Sequence, residues 1–182
     1  MTTIIILILI IISYIYFHRK PKINIKETDD NVVLCPAYGT IQKIIETDDK
    51  VHIITFLSPV DVHVQYYPVN GIIKEQIHDM SGKYHLAYQL NKSDMNEKVI
   101  TIIDSPVGEV TVQQIAGYLV RRIETVYEKQ KNPNIKKADE MGMIRLGSRV
   151  DIILPKENIN LLVKEGDKVS GPYTVCAFYT KK

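Results

Sequence analysis

Two patterning rules govern the chain. From Ile4 to Phe17 every position except Ser13 is apolar, so a helix wound from this run has no polar face. The run closes on Tyr14, Tyr16 and Phe17, and His18, Arg19, Lys20 and Lys22 follow directly. A full span needs about 20 apolar residues, but an aromatic edge with a basic flank is the pattern of a helix end at the cytoplasmic leaflet. The run therefore predicts an N-terminal membrane helix, single-pass or interfacial, and sets off residues 1–22 as an anchor. A cleaved secretory signal fits less well, because no basic segment precedes the run and no small-residue cleavage site follows it.

Beyond Pro21 the pattern changes to short runs rich in β-branched residues, broken at intervals by Gly, Pro, Asn and Asp. Strands are predicted over Val32 to Leu34, Ile41 to Ile45, His52 to Leu57, Val60 to Val64, Gly71 to Lys74, Val99 to Asp104, Glu109 to Val112, Val150 to Leu154 and Tyr173 to Ala177. One helix is predicted where Val112, Ile115, Ala116, Leu119, Val120 and Ile123 recur at three- and four-residue steps, with Arg121 and Arg122 on the other side. The polar, lysine-rich stretch from Tyr127 to Asp139, which contains Pro133, reads as a surface loop. The expected fold is mainly β (α+β): one domain over residues 23–182, of barrel or sandwich-hybrid type, with one helix beside the sheet.

Charge narrows the list of partners. Lys and Arg number 23 against 21 Asp and Glu, a net charge of +2, which leaves no basic footprint for nucleic acid. The two cysteines, Cys35 and Cys176, have neither metal-ligand spacing nor a disulfide framework, and read as small buried residues in a reducing compartment. Gly turns at Ala37-Tyr38-Gly39, Val69-Asn70-Gly71 and Glu165-Gly166-Asp167 are compatible with a lipoyl-type carrier sandwich, but no hairpin-tip lysine for a swinging cofactor is evident. Such turns are more often simply the chemistry of strand reversal.

The segment Asp139-Glu140-Met141-Gly142-Met143-Ile144-Arg145-Leu146-Gly147-Ser148-Arg149-Val150-Asp151-Ile152-Ile153-Leu154-Pro155 holds the most chemistry. Glycine at 147 gives the backbone conformations closed to other residues, and the Ser148 hydroxyl can attack the glycine carbonyl, displacing its own amide nitrogen. Upstream, Phe56-Leu57-Ser58-Pro59-Val60-Asp61-Val62-His63-Val64-Gln65-Tyr66-Tyr67-Pro68-Val69-Asn70-Gly71 carries a histidine, and an imidazole is the side chain that titrates closest to neutral pH. A third block runs Gln113-Gln114-Ile115-Ala116-Gly117-Tyr118-Leu119-Val120-Arg121-Arg122-Ile123. Together these blocks resemble the phosphatidylserine decarboxylase family in its short bacterial and archaeal form, between Cys35 and Val169.

The resemblance implies a proenzyme that cuts itself between Gly147 and Ser148, into chains 1–147 (β) and 148–182 (α) that remain partners. It implies a pyruvoyl group formed from Ser148 as the only cofactor, without metal or pyridoxal phosphate. His63 is then the acid-base residue, Asp61 a candidate orienting group, and Arg145 and Arg149 candidate ligands of the substrate's phosphate or carboxylate. The implied reaction converts phosphatidylserine to phosphatidylethanolamine and CO2 through a Schiff base at a membrane, in a homo-oligomer. His18, His52, His78 and His85 lack such a context. One departure stands out: the family carries Asp in a Pro-Ala-Asp-Gly turn, and this chain reads Pro36-Ala37-Tyr38-Gly39. A phenol titrating near 10 supplies no carboxylate. Tyr66 likewise stands where longer members have a second histidine, although short members lack it too. Tyr38 keeps open the alternative of a non-cleaving, membrane-tethered pseudoenzyme or lipid-binding protein of the same fold. A soluble amino-acid decarboxylase with the same prosthetic group is weighed against by the N-terminal run.

Overall fold

The computed structural model describes residues 2–25, 29–83, 85–118, 122–145 and 147–180. In chain order the elements are α1 (Thr2–Phe17), β1 (Val32–Leu34), β2 (Gly39–Glu46), β3 (Lys50–Leu57), β4 (Val64–Tyr66), β5 (Gly71–Asp79), α2 (Leu90–Ser93), β6 (Lys98–Ser105) and β7 (Gly108–Ile115). They continue with β8 (Ile123–Thr125), α3 (Val126–Gln130), β9 (Asn134–Ile135), β10 (Glu140–Ile144), β11 (Ser148–Pro155), β12 (Ile159–Leu161), β13 (Lys168–Val169) and β14 (Val175–Tyr179). Among the described residues they form three open sheets: an eight-stranded one in the order β13-β2-β3-β11-β7-β6-β5-β9, and two three-stranded ones, β1-β14-β12 and β4-β10-β8. The protein is mostly β, as its turn-punctuated, β-branched runs imply.

Strand β11 lies at the middle of the large sheet, antiparallel to β3 from Ser148↔Leu57 to Pro155↔Lys50 and to β7 on its other side. Its alternation gives each face a different task. Val150, Ile152 and Leu154 enter the main core, at most 1% exposed, together with Ile53, Val112 and Ile103. Arg149 and Asp151 point to the opposite face, where the guanidinium reaches α2 through the Leu90 carbonyl (3.2 Å), Ser93 Oγ (2.9 Å) and Asp94 Oδ1 (2.8 Å).

Three sequence expectations give way here. The helix expected over Val112 to Ile123 is strand β7 as far as Ile115, with Leu119, Val120 and Arg121 outside the described residues. Val110, Val112 and Gln114 are buried while Glu109, Thr111 and Gln113 are more exposed, a period of two that satisfies the backbone through both β6 and β11. The expected strand at Val60 to Val64 begins only at Val64, because Pro59 and Asp61 shape a turn before it: Asp61 Oδ2 accepts from both the amide and the hydroxyl of Ser58, each at 2.8 Å. The expected loop at Tyr127 to Asp139 contains most of α3, whose N-cap Thr125 accepts from the Glu128 amide, and β9.

The N-terminal run is helical as expected, in α1. At about 1.5 Å per residue its 16 residues reach about 24 Å, short of a hydrocarbon core about 30 Å thick. Among the described residues no helix is long and apolar enough to cross a membrane, so the single-pass form of the expectation is not met. The side chains from Ile4 to Ile12 are all about half exposed.

Candidate active site

Ser148 opens β11, just after Gly147, whose φ of +71° lies in the left-handed region. A Cβ at 147 would meet nothing within 4 Å, so glycine is favoured there by backbone conformation rather than by space. Alternation turns the Ser148 side chain to the core face of the sheet, where it is 0% exposed. Its hydroxyl has no hydrogen-bond partner among the described residues. A buried, unpaired hydroxyl is costly for the fold, and such groups concentrate where chemistry needs them. Leu146, inside the same segment, lies outside the described residues.

His63 follows the turn that joins β3 to β4 and is also fully buried. Its Nδ1 donates to the Asp61 carbonyl at 2.9 Å, which fixes the neutral tautomer with the lone pair on Nε2. Nε2 is buried and has no partner among the described residues. Burial pushes the imidazole below its ordinary value, outweighing the Asp61 carbonyl and carboxylate, which act in the other direction. At neutral pH the ring is an unprotonated base. Above it lies the Phe17 ring of α1, centroid to centroid 4.3 Å.

Strand pairing brings the two segments together. Ser148 is registered against Leu57, six residues before His63, and the Ile144 amide donates to the His63 carbonyl at 3.3 Å. That carbonyl also accepts from Gln65 Nε2 at 2.6 Å, and Gln65 Oε1 accepts from Gln114 Nε2 at 2.8 Å. Both glutamines are fully buried, so the chain Gln114–Gln65–His63 holds the histidine backbone from behind. Sequence reasoning passed over this pair. Gln65 stood in the histidine block, but Gln114 was assigned to a helix, where it has no reason to meet Gln65. Gly142 belongs to the same packing: a Cβ there would come within 2.3 Å of the Glu124 carbonyl.

The orienting groups fall out differently from the expectation. The Asp61 carboxylate caps Ser58, and it is the Asp61 backbone carbonyl that bonds His63. Tyr38 packs with Ile23 on the small cluster of Val62, Val64 and Tyr66. Burial raises its phenol above the ordinary value, so Tyr38 brings no negative charge to the site at neutral pH. Tyr66 is raised further, again chiefly by burial.

The two arginines divide. Arg149 is 2% exposed and lies on the strand face opposite Ser148. Its Nε and Nη2 bind the two Asp151 oxygens at 2.8 and 2.6 Å, while Nη1 serves α2. Asp151 also bonds His52 Nε2 at 2.9 Å. Its guanidinium is occupied by the fold, which corrects its assignment as a substrate ligand. Arg145, just past β10, is one-third exposed and pairs with Glu124 at 2.7 Å. Hydrogen bonds from Lys129 first, then from Arg145, hold the Glu124 carboxyl down to about 2. Arg145 Nε remains buried without a partner among the described residues.

Fold and site define a β-rich protein with a Gly-Ser bond at the start of a central strand, a buried serine hydroxyl, and a buried histidine just before β4. The profile of the family described as phosphatidylserine decarboxylase matches residues 12–177. The chain is 34% identical over 174 residues to a phosphatidylserine decarboxylase proenzyme of Carboxydothermus hydrogenoformans, covering 92% of this chain and 80% of that protein. It is 36% identical over 179 residues to the phosphatidylserine decarboxylase proenzyme of the Wolbachia of Brugia malayi (92% and 76%), and 33% identical over 178 residues to that of Bacteroides fragilis (93% and 76%). The chain belongs to the phosphatidylserine decarboxylase family, whose members are decarboxylase proenzymes.

Proposed function

We propose that the chain is a self-processing, membrane-attached decarboxylase that cuts itself before Ser148 and converts phosphatidylserine to phosphatidylethanolamine and CO2. One observation carries the reading. The two buried polar atoms that self-cleavage needs, Ser148 Oγ and His63 Nε2, are both without partners among the described residues, in segments that β3, β10 and β11 bring together. In the cleavage step Nε2 takes the Ser148 hydroxyl proton, and Oγ attacks the Gly147 carbonyl. The Gly147–Ser148 amide becomes an ester, and the nitrogen of 148 becomes a free amine. Loss of the Ser148 α-proton then breaks the Cβ–Oγ bond, so the 1–147 chain leaves with a carboxylate. The dehydroalanine at 148 hydrolyses with loss of ammonia.

The residues fit a pyruvoyl group at 148: the position is buried, glycine precedes it in a left-handed conformation, and the segment paired with it leads within six residues to a buried imidazole whose Nε2 has no partner among the described residues. When formed, the group supplies an electron sink for the decarboxylation of a bound amine. His63 Nε2 is then the atom that returns a proton to the substrate, and the Asp61 carbonyl, with Gln65 and Gln114 behind, keeps it presented. Arg145 rather than Arg149 is the cation available to a phosphate.

The domain boundaries follow: 1–22 attaches to lipid, and 23–182 is the catalytic domain, a barrel or sandwich hybrid cut into β (1–147) and α (148–182) chains. Lipid attachment rests on α1, whose apolar side chains are exposed on every side and so match an apolar solvent rather than water. The test is intact-mass analysis of the purified chain beside Ser148→Ala and His63→Gln. The wild type should give a fragment starting at 148 and blocked by a pyruvoyl group, and both variants should stay whole. A wild type that stays whole supports the second reading, a non-cleaving lipid-binding member, which Tyr38 in place of the aspartate favours.

A further inference from the structure

The root of α1 forms part of the site. Arg19 clamps it: Nη2 donates to the Val60 carbonyl at 2.6 Å, Nη1 to the Tyr16 carbonyl at 2.7 Å, and the guanidinium lies 3.9 Å over the Tyr16 ring. Lys20 adds an ion pair to Glu140 at 2.6 Å. Between residues 13–18, the Pro59–Val60 turn and Arg145 lies a cavity of about 530 Å³, within the range of small-ligand sites. Its walls are chiefly apolar, from Tyr14, Phe17, Pro59 and Val60, and Phe17 is the ring that stacks on His63. Along α1 these walls run on into the exposed Ile and Leu side chains.

Arg145 and His18 also line a second cavity, of about 210 Å³, with Lys20, Lys129, Glu124 and Glu140 around it. The shared wall thus separates an apolar space from one that charged side chains of both signs line together with Val126 and Met143. Each of these two residues keeps one buried nitrogen without a partner among the described residues: Arg145 Nε and His18 Nε2. Arg145 Nε is a donor whose charge suits an anionic oxygen. The His18 ring bonds the Tyr14 carbonyl through Nδ1 at 2.8 Å, so Nε2 becomes a second donor when the ring is protonated.

Resting on the decarboxylase reading, we infer that the cavity under α1 holds one acyl chain of the lipid substrate and that Arg145, at the shared wall, takes its phosphate. An amphiphile with an anionic head matches this juxtaposition of apolar walls, unpaired donors and charged space, and the apolar surface of α1 gives the chain a path from the bilayer. Phe17 then contacts both the lipid and the imidazole, so the helix that meets the membrane is also one wall of the catalytic pocket.

Calorimetry on the uncleaved Ser148→Ala chain tests this without catalysis, using dihexanoyl phosphatidylserine below its micelle concentration and the acyl-free headgroup glycerophosphoserine. The lipid should bind at least tenfold more tightly. Val60→Trp, and independently Ser13→Trp from the opposite wall, should erase that difference, while Arg145→Met should weaken both ligands. Equal affinity, no binding of either, or an advantage untouched in both Trp variants overturns the assignment. In the cleaving chain, Val60→Trp should lower turnover of vesicle phosphatidylserine about tenfold more than turnover of glycerophosphoserine; an equal fall on both substrates also overturns it. If the wild type releases no CO2 from either while the binding difference persists, the decarboxylase reading falls and the lipid cavity stands.

Discussion

In the proposed reaction a single imidazole carries most of the chemistry, and its surroundings set its titration. Burial under Phe17 keeps His63 below the ordinary value, and the Asp61 carbonyl commits its proton to Nδ1. Self-cleavage followed from synthesis in a cell-free system should therefore rise with pH and level off below about 6.5, the ordinary imidazole midpoint. Phe17→Ala admits water, favours the charged ring and should move that midpoint upward, whereas Phe17→Leu, which keeps the site dry, should restore it. A midpoint identical in all three chains would remove Phe17 from the account. The Ser148 and His63 blocks were legible because both residue types and their neighbours are local in sequence. Gln114, Phe17 and the Asp61 carbonyl were not: each acts on His63 through a contact that the linear pattern does not encode.

Among the elements, polar clusters fasten the smaller pieces to the sheet. Arg149 ties β11 to α2 through Asp151, Ser93, Asp94 and the Leu90 carbonyl. Arg149→Ala leaves the Asp151 carboxylate buried without its cation and should cost about 3–5 kcal/mol, read by urea unfolding in the Ser148→Ala background. A loss confined to substrate affinity, with stability intact, would return Arg149 to the binding site. His78 on β5 bonds Glu97 and Glu128 at 2.9 Å each, joining the sheet to α3. Burial opposes its charge, but the two carboxylates prevail and raise its titration above the ordinary imidazole value. A raised value means the folded chain keeps a proton that the unfolded chain has released. The contribution is complete below about 6.5 and is lost as pH rises through the folded value. His78→Gln should thus destabilise the chain by up to about 1 kcal/mol at pH 6 and by clearly less at pH 9, in paired unfolding curves.

At the scale of the whole molecule, the proposed cut at 147–148 divides the chain without dividing its core. Residues after the cut supply β11 between β3 and β7, and β14 between β1 and β12. Val150, Ile152, Leu154, Cys176 and Ala177 all belong to the common core. The cleaved chains should therefore elute as one particle under native conditions and separate only in denaturant. Two elution peaks in native buffer would contradict that. Attachment to lipid should rest on α1: Ile8→Asp with Ile11→Asp places two charges in an apolar helix, each costing about 2.5–3.5 kcal/mol in hydrocarbon, and should abolish sedimentation with vesicles while the domain's unfolding curve stays unchanged.

The sequence by itself determined the β-rich class, nearly every long strand, the apolar N-terminal helix and the candidate pair Ser148 and His63. These follow from periodicity, turn chemistry and local blocks, all of which act over a few residues. The second half of β7, past Val112, escaped because Val112, Ile115, Ala116 and Ile123 satisfy a helical spacing by coincidence, and only pairing with β6 and β11 decides between the two. Tertiary structure alone decided how each arginine is held. Arg145 and Arg149 are four residues apart and chemically alike, yet β11 turns one toward Asp151 and α2, while the other lies at the wall of two cavities. It also decided that the apolar helix ends against His63, because that contact joins residues 46 positions apart whose only common signal in the chain is being apolar or aromatic.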